Sequence, residues 1–128
     1  MRVLLDTHAL LWWFTDDDRL SSTARSVIAD ETNEVLASAA SAWEIATKQR
    51  LGKLTGIPDV TDRYAELVAA DGFLHLPVTH RHSLRAGGYP YPHRDPFDRM
   101  LAAQSELEAL TLVTQDPVFP QFAVTTLW

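Results

Sequence analysis

Arg2-Val3-Leu4-Leu5-Asp6 is the stretch on which the reading of the whole chain turns. Its apolar core has no polar alternation, and it is too short for a helix, so it reads as a strand covered on both faces. Strands of that kind belong to parallel sheets with helices on either side, and such sheets gather ligands at the carboxyl ends of their strands. Asp6 stands at that end. An N-cap role for the helix beginning beside it is the plain structural alternative.

Outward from Asp6 the same grammar repeats, short apolar runs alternating with helical segments. His8 to Phe14 reads as a short apolar helix, and Ser21 and Ser22 offer N-caps for a second helix through Ala29. Glu34 to Ala37 is the next strand. From Ser38 an alanine-rich helix runs to about Arg50, with Ala39, Trp43 and Ala46 on one face and Gly52 just past its end. Asp59 to Ala70 carries Val60, Tyr64, Leu67 and Val68 on one stripe, closed by Gly72. Phe73 to Val78 is a third strand, Thr79 to Ala86 a helical piece, and Gly87 to Arg94 a loop by composition. Asp95-Pro96 opens a helix to about Glu108, Leu110 to Thr114 is a fourth strand, and Val124 to Leu127 a short fifth. The pattern predicts an α/β fold with a mostly parallel sheet flanked by helices. At 128 residues, the expectation is one domain over positions 1–128.

Composition narrows the chemistry. The chain has no cysteine, which excludes disulfides, thiolate metal sites and cysteine nucleophiles. No apolar run has the length of a signal h-region or a membrane span, so the expectation is a cytoplasmic protein without a membrane partner. The net charge of −6 by itself argues against a nucleic-acid partner. That objection weakens if acids cluster around bound cations. The bases fall in groups: Lys48, Arg50 and Lys53; Arg81 to Arg85; Arg94 and Arg99.

The acids themselves each have an ordinary structural role available. Glu44 lies in the second turn of its helix, where side chains lean toward the N-terminus, and an i,i+4 pair with Lys48 explains it equally well. Asp95 suits an N-cap with Pro96 behind it, and Asp98 a first-turn position favoured by the helix dipole. Asp116 precedes Pro117 in a turn signal, with the Thr114 hydroxyl two residues earlier. Their joint placement is another matter, because strand ends and helix starts all fall at one edge of one sheet. Like charges packed there repel unless cations lie between them. An all-oxygen donor set suits Mg²⁺ or Mn²⁺ rather than Zn²⁺, and such sites serve phosphoryl chemistry. The histidines add less. His8 and His75 read as structural, His80 and His82 as solvent-facing, and His93 as local structure within reach of the site.

The same residues carry a resemblance. Leu4-Leu5-Asp6-Thr7-His8-Ala9-Leu10-Leu11-Trp12-Trp13 resembles the opening of PIN-domain toxins of the VapC type. Ser38-Ala39-Ala40-Ser41-Ala42-Trp43-Glu44-Ile45-Ala46, followed by Leu51-Gly52-Lys53-Leu54, resembles the second acidic segment of that family. The run from His93 to Gln104 resembles the third, and Leu112-Val113-Thr114-Gln115-Asp116 the fourth. The blocks come in order and cover nearly the whole chain. The resemblance implies a PIN α/β/α sandwich with strand order 3-2-1-4-5. It implies a Mg²⁺- or Mn²⁺-dependent endoribonuclease, the toxin of a type II toxin–antitoxin pair, with RNA as substrate and a small VapB-like antitoxin as partner. By position, Asp6 and Asp98 match the family's main metal ligands, Glu44 and Asp116 the remaining acids, and Asp95 a companion acid, with Thr114 auxiliary.

Rival functions have their own signatures. A dehalogenase-like phosphatase would need Asp-x-Asp after the first strand, and Asp6-Thr7-His8 breaks it. A receiver domain would need a late lysine, and none follows Lys53. A PIN fold kept only for binding RNA or protein would have lost an acid, and none is missing. A homodimer is expected as well, from the Trp12-Trp13-Phe14 stretch on a helix too short to bury all of it.

Overall fold

The computed structural model describes residues 1–54 and 56–128. The chain opens with β1 (Arg2–Leu5), α1 (Thr7–Phe14), α2 (Ser22–Ala29), β2 (Glu34–Ser38) and α3 (Ala39–Arg50). It continues with α4 (Val60–Ala70), β3 (Leu74–Leu76), α5 (His80–Gly88), α6 (Pro96–Leu107), β4 (Thr111–Val113) and β5 (Thr126–Leu127), with one short 3₁₀ turn at Phe119–Phe122. The five strands form one sheet in the order β3-β2-β1-β4-β5. Every pairing in it is parallel: Val3 stands opposite Val35 on one side and Thr111 on the other, Leu36 opposite Leu74, and Leu112 opposite Thr126. β1 is therefore the middle of the sheet, as its unbroken apolar run predicted.

Strand side chains alternate between faces, and this splits the core in two. Val3, Leu5, Val35, Ala37 and Val113 join Leu10, Ile28, Ile45, Val60 and Val68 on one side, where α1 to α4 lie. Leu4, Leu36 and Leu112 face the other side and pack with Leu101, Ala102, Phe119 and Phe122 from α6 and the short turn. The result is a helix–sheet–helix sandwich.

Local chemistry explains most element ends. Ser21 caps α2 through the Ala24 N–H, and Ser38 caps α3 through the Ala40 N–H. Gly52 takes φ 69° just past α3 and donates to the Gln49 carbonyl, the left-handed stop that a glycine allows.

Four expectations need correction. Trp12 is buried, and Trp13 and Phe14 are half-buried against the same core, where they meet Phe73 and Tyr64. The stretch expected to face a second copy thus packs inward, against Trp128, Phe73 and Tyr64. On α3 the inward residues are Ala40, Ser41, Glu44 and Ile45, not the Ala39-Trp43-Ala46 stripe. Trp43 is 64% exposed. β3 is an edge strand with little cover, shorter than Phe73 to Val78. Finally, α5 runs through Gly87 and Gly88 instead of stopping at Ala86, for a reason that lies in the site below.

Candidate functional site

Each acid at the carboxyl edge of the sheet is held by its own element. Asp6 directly follows β1 and does two things at once. One carboxylate oxygen caps α1 by accepting the Ala9 N–H at 2.7 Å, and the other accepts the Thr114 hydroxyl at 2.5 Å. Thr114, just past β4, in turn accepts the Asp116 N–H at 3.0 Å, and the Asp116 carboxylate accepts the Val118 N–H at 3.0 Å. The ends of two neighbouring strands are thereby tied through Asp6 and Thr114. Burial pushes the Asp6 carboxyl above its ordinary range. The Thr114 and Ala9 hydrogen bonds and nearby His8 work against that, and the charge of Asp116 adds to it.

Glu44 follows β2 into the second turn of α3 and is buried. Its carboxylate takes the Lys48 ammonium at 2.6 Å one turn later. α6 runs back toward β4, so its N-terminus also lies at the carboxyl edge. Asp95 is its N-cap and accepts the N–H groups of Phe97 at 2.9 Å and Asp98 at 3.1 Å. Asp98 in the first turn is half-buried and bonds to Nε2 of His93 at 2.9 Å. Its carboxyl is pushed up to about 6, chiefly by burial. The His93 hydrogen bond lowers it, and the negative charges of Asp95, Asp116 and Glu44 raise it further. Asp98 therefore feels three of the other predicted acids, and Asp6 and Asp98 both feel Asp116.

The acids share a field but are not drawn into one knot. Among the described residues, no three His, Asp or Glu side chains stand close enough together to enclose a metal ion. The partners account for this: Lys48 draws on Glu44, His93 on Asp98, and Thr114 on Asp6. The donor chemistry still fits a hard divalent cation, since the acids offer oxygen alone and their mutual repulsion favours a cation among them.

Several residues were missed or misread from sequence. His82 is 1% exposed, not solvent-facing. Its Nδ1 accepts the Thr79 N–H at 3.0 Å, and its Nε2 bonds to Glu108 at 2.8 Å. Gln104 beside it bonds to Ser38 at 2.5 Å and to the Pro77 carbonyl at 3.2 Å, so a buried polar chain joins β2, α5 and α6. His8 is exposed, and it lines a recess with Asp6, Gln115 and Asp116. His75 lies exposed on the edge strand β3. Arg99 is the largest omission. Its guanidinium donates to the carbonyls of Ala86, Gly87, Tyr89, Tyr91 and His93. It satisfies the last carbonyls of α5, so the helix continues through the glycines, and it pins the loop that delivers His93 to Asp98. The only sequence signal was an arginine one residue past a site acid, facing a Gly-Tyr-Pro loop rich in free carbonyls.

A parallel 3-2-1-4-5 sheet with acids from four elements along its carboxyl edge defines an α/β protein with a carboxylate-centred site. The chain belongs to the PIN-domain family, whose description "PIN domain" matches residues 3–124. Over 68 residues it is 40% identical to Ribonuclease VapC16 of Mycobacterium tuberculosis, a match covering 52% of this chain and 48% of that protein. It thus spans about half the length of that curated relative. Two solved structures show the same fold. VapBC2 from Rickettsia felis, bound to a promoter DNA fragment, superposes with a TM-score of 0.66 at 13% identity, covering 99% of this chain and 98% of that one. FitAcB from Neisseria gonorrhoeae superposes with a TM-score of 0.64 at 19% identity, covering 100% and 97%.

Proposed function

We propose that the protein is a metal-dependent endoribonuclease, the toxin of a VapBC-type pair, with positions 1–128 acting as one PIN domain. The observation that carries this reading is the placement of Asp6, Glu44, Asp98 and Asp116 along the carboxyl edge of one parallel sheet, near enough that Asp98 feels Glu44 and Asp116. Acids arranged to disfavour one another in a recess are at ease when a cation sits among them. The fold and the likeness to a protein named as a ribonuclease support it.

In this reading Asp6, Glu44, Asp98 and Asp116 hold one or more Mg²⁺ or Mn²⁺ ions. A bound ion of that kind supplies activation of water and offsets charge on the phosphate under attack. The chain's own residues do the rest. Asp6 and Asp98 are preset by Thr114 and by the Asp95 cap, so their carboxylates stay at the edge without being drawn into the core. Lys48 and His93 hold Glu44 and Asp98 in place, and a bound ion would compete with them for the same carboxylates. Asp95 orients the first turn of α6 by accepting two N–H groups on one carboxylate oxygen.

A free ribonuclease needs restraint, so the reading includes a small VapB-like antitoxin. A basic side chain from it, best an arginine with its bidentate fork, would reach the acids. The test is cleavage of single-stranded RNA by purified protein, free of partner. Activity should vanish in excess EDTA and return with Mn²⁺ or Mg²⁺. Full-rate cleavage in EDTA would overturn the mechanism, and cleavage unchanged by the co-expressed neighbouring small protein would overturn the pairing.

A further inference from the structure

Gln104 is fully buried on α6, and a side chain so polar enters a core only with partners. Its partners lie at the carboxyl ends of two strands. Ser38, the last residue of β2, donates its hydroxyl to Oε1 of Gln104 at 2.5 Å. Nε2 of Gln104 donates to the Pro77 carbonyl at 3.2 Å, and Pro77 directly follows β3, whose last residue stands opposite Ser38 in the sheet. The carboxamide has one workable orientation. The Pro77 carbonyl can only accept, and so can Nδ1 of His82, which lies 3.4 Å from Nε2 and already accepts the Thr79 N–H. The amide oxygen is left for the Ser38 hydroxyl, whose own oxygen accepts the Ala40 N–H at 3.0 Å as the N-cap of α3. One side chain thus ties α6 to the ends of β2 and β3 and to the start of α3.

That tie bears on the acids. α3 and α6 pass each other in opposite directions: Ser38 meets Gln104 at one level, and Trp43 meets Phe97 at the next, with ring centroids 4.9 Å apart. Glu44 directly follows Trp43, and Asp98 directly follows Phe97. Both acids therefore stand beside the ring contact, six residues from the bonded pair, or about 9 Å along a helix. The ring contact and its apolar surroundings are not directional, so they alone would let the helices slip along one another. The hydrogen bonds of Gln104 are directional and fix the level of the two helices. A hard divalent ion needs this, because Mg²⁺ tolerates little departure from octahedral geometry.

We infer that Gln104 is a positioning residue for the acid site: it sets the level of α6 against α3, and so the spacing of Asp98 and Glu44. It acts through Ser38 and Pro77 and touches none of the site acids. The inference rests on the metal-dependent ribonuclease reading for its effect on activity, but not for the tie between the helices.

The experiment follows backbone amide exchange in excess EDTA and Mn²⁺ binding by calorimetry without RNA. Wild type is compared with Q104M, which keeps the side chain's length and removes both bonds, with S38A, and with the double variant. V68A is the control for lost packing, a buried change on α4, which carries none of the site acids. In Q104M the second turns of α3 and α6 should exchange about tenfold faster while β1 exchanges as in wild type. Mn²⁺ affinity should fall about tenfold, the low end for losing an outer support of a metal site. S38A should do the same, and the double variant should be no worse than S38A, because both changes break one bond. At limiting Mn²⁺, Q104M should cleave RNA more slowly by a similar factor, recover with excess Mn²⁺, and keep its KM for RNA. V68A should melt lower than wild type and bind Mn²⁺ as wild type does. If Q104M fails to fold, S38A gives the same comparison. The inference is overturned if exchange at those turns or Mn²⁺ affinity stays within about twofold of wild type, or if V68A loses as much affinity. Faster exchange at those turns, with a wild type that neither binds Mn²⁺ nor cleaves RNA, sinks the ribonuclease reading and leaves the tie between the helices standing.

Discussion

The acids at the sheet edge differ in what each carboxylate already does, and that difference can be measured. Asp98 has a carboxyl pushed up to about 6, so the folded protein holds a proton there that the unfolded chain has released. For such a group, stability is fully present below the unfolded value and is lost as pH rises through the folded one. In chelator, melting temperature should therefore fall between about pH 4 and pH 6.5, and the Asp98→Asn variant should lose that part of the slope. A wild-type melt that rises steadily across this window would contradict the assignment. The same variant should abolish cleavage while melting at or above wild type near pH 7, because it removes the unfavourable charge and keeps the shape. Protons should also compete with metal, so activity should fall as pH drops below about 6. Asp95 behaves differently. It accepts two backbone N–H groups at the start of α6, so Asp95→Ala should cost about 0.5–2 kcal/mol of stability. It should lower activity less than Asp98→Asn does. If cleavage rates and melts come out the other way round, the two roles are exchanged.

At the scale of elements, the loop between α5 and α6 is held by one side chain. A lysine at position 99 has a single ammonium where Arg99 spreads its donors over five carbonyls. Arg99→Lys should cost about 1.5–3 kcal/mol or more, the range for hydrogen bonds to a charged group, and should free His93 from its place beside Asp98. Thermal melts and cleavage rates together test this. A stable but inactive variant would fit a purely local role at His93, whereas an unchanged one would show that the loop holds itself. Arg99 also marks the limit of what the sequence made legible. The strands of the sheet could be read because Val3-Leu4-Leu5 and its counterparts have no polar alternation. The helices could be read because Ser21, Ser38, Asp95 and Gly52 are local signals that act on their own neighbours. Asp6, Glu44, Asp98 and Asp116 could be placed because strand ends and the opening two turns of helices fix them. Pairings across the fold leave no such trace. His82 with Glu108, Ser38 with Gln104, and Arg99 with its carbonyls join residues that only the folded sheet makes neighbours. The stripe on α3 was misread because Glu44 lies on the inward face, and a periodicity argument counts an acid as outward.

Over the whole molecule, a net charge of −6 and the proposed RNA substrate pull against each other. Most nucleic-acid binders release many counterions through a broad basic surface, and their affinity falls steeply with salt. Here the bases beside the site are largely committed: Lys48 to Glu44, Arg99 to carbonyls. Binding of single-stranded RNA should therefore depend weakly on monovalent salt, with a log–log slope below about 2 in magnitude, consistent with only a few phosphate contacts at about 0.7 each. A slope near that of a basic binder, read from titrations at several salt concentrations, would show an electrostatic surface that this fold does not display. The same site has a further property in time. The hydrogen bond between Asp6 and Thr114 joins residues 108 positions apart, and β1 has as one of its two neighbours β4, the fourth strand in chain order. A ribosome delivers Asp6 more than a hundred residues before the Thr114 that fixes it. Until β4 is made, the sheet lacks the partner on one side of β1, and Asp6 lacks the hydroxyl that holds one of its oxygens. On the proposed reading, the edge that would cleave RNA is complete only once β4 has joined the sheet, which would give an inhibitor made alongside time to be present when the edge closes.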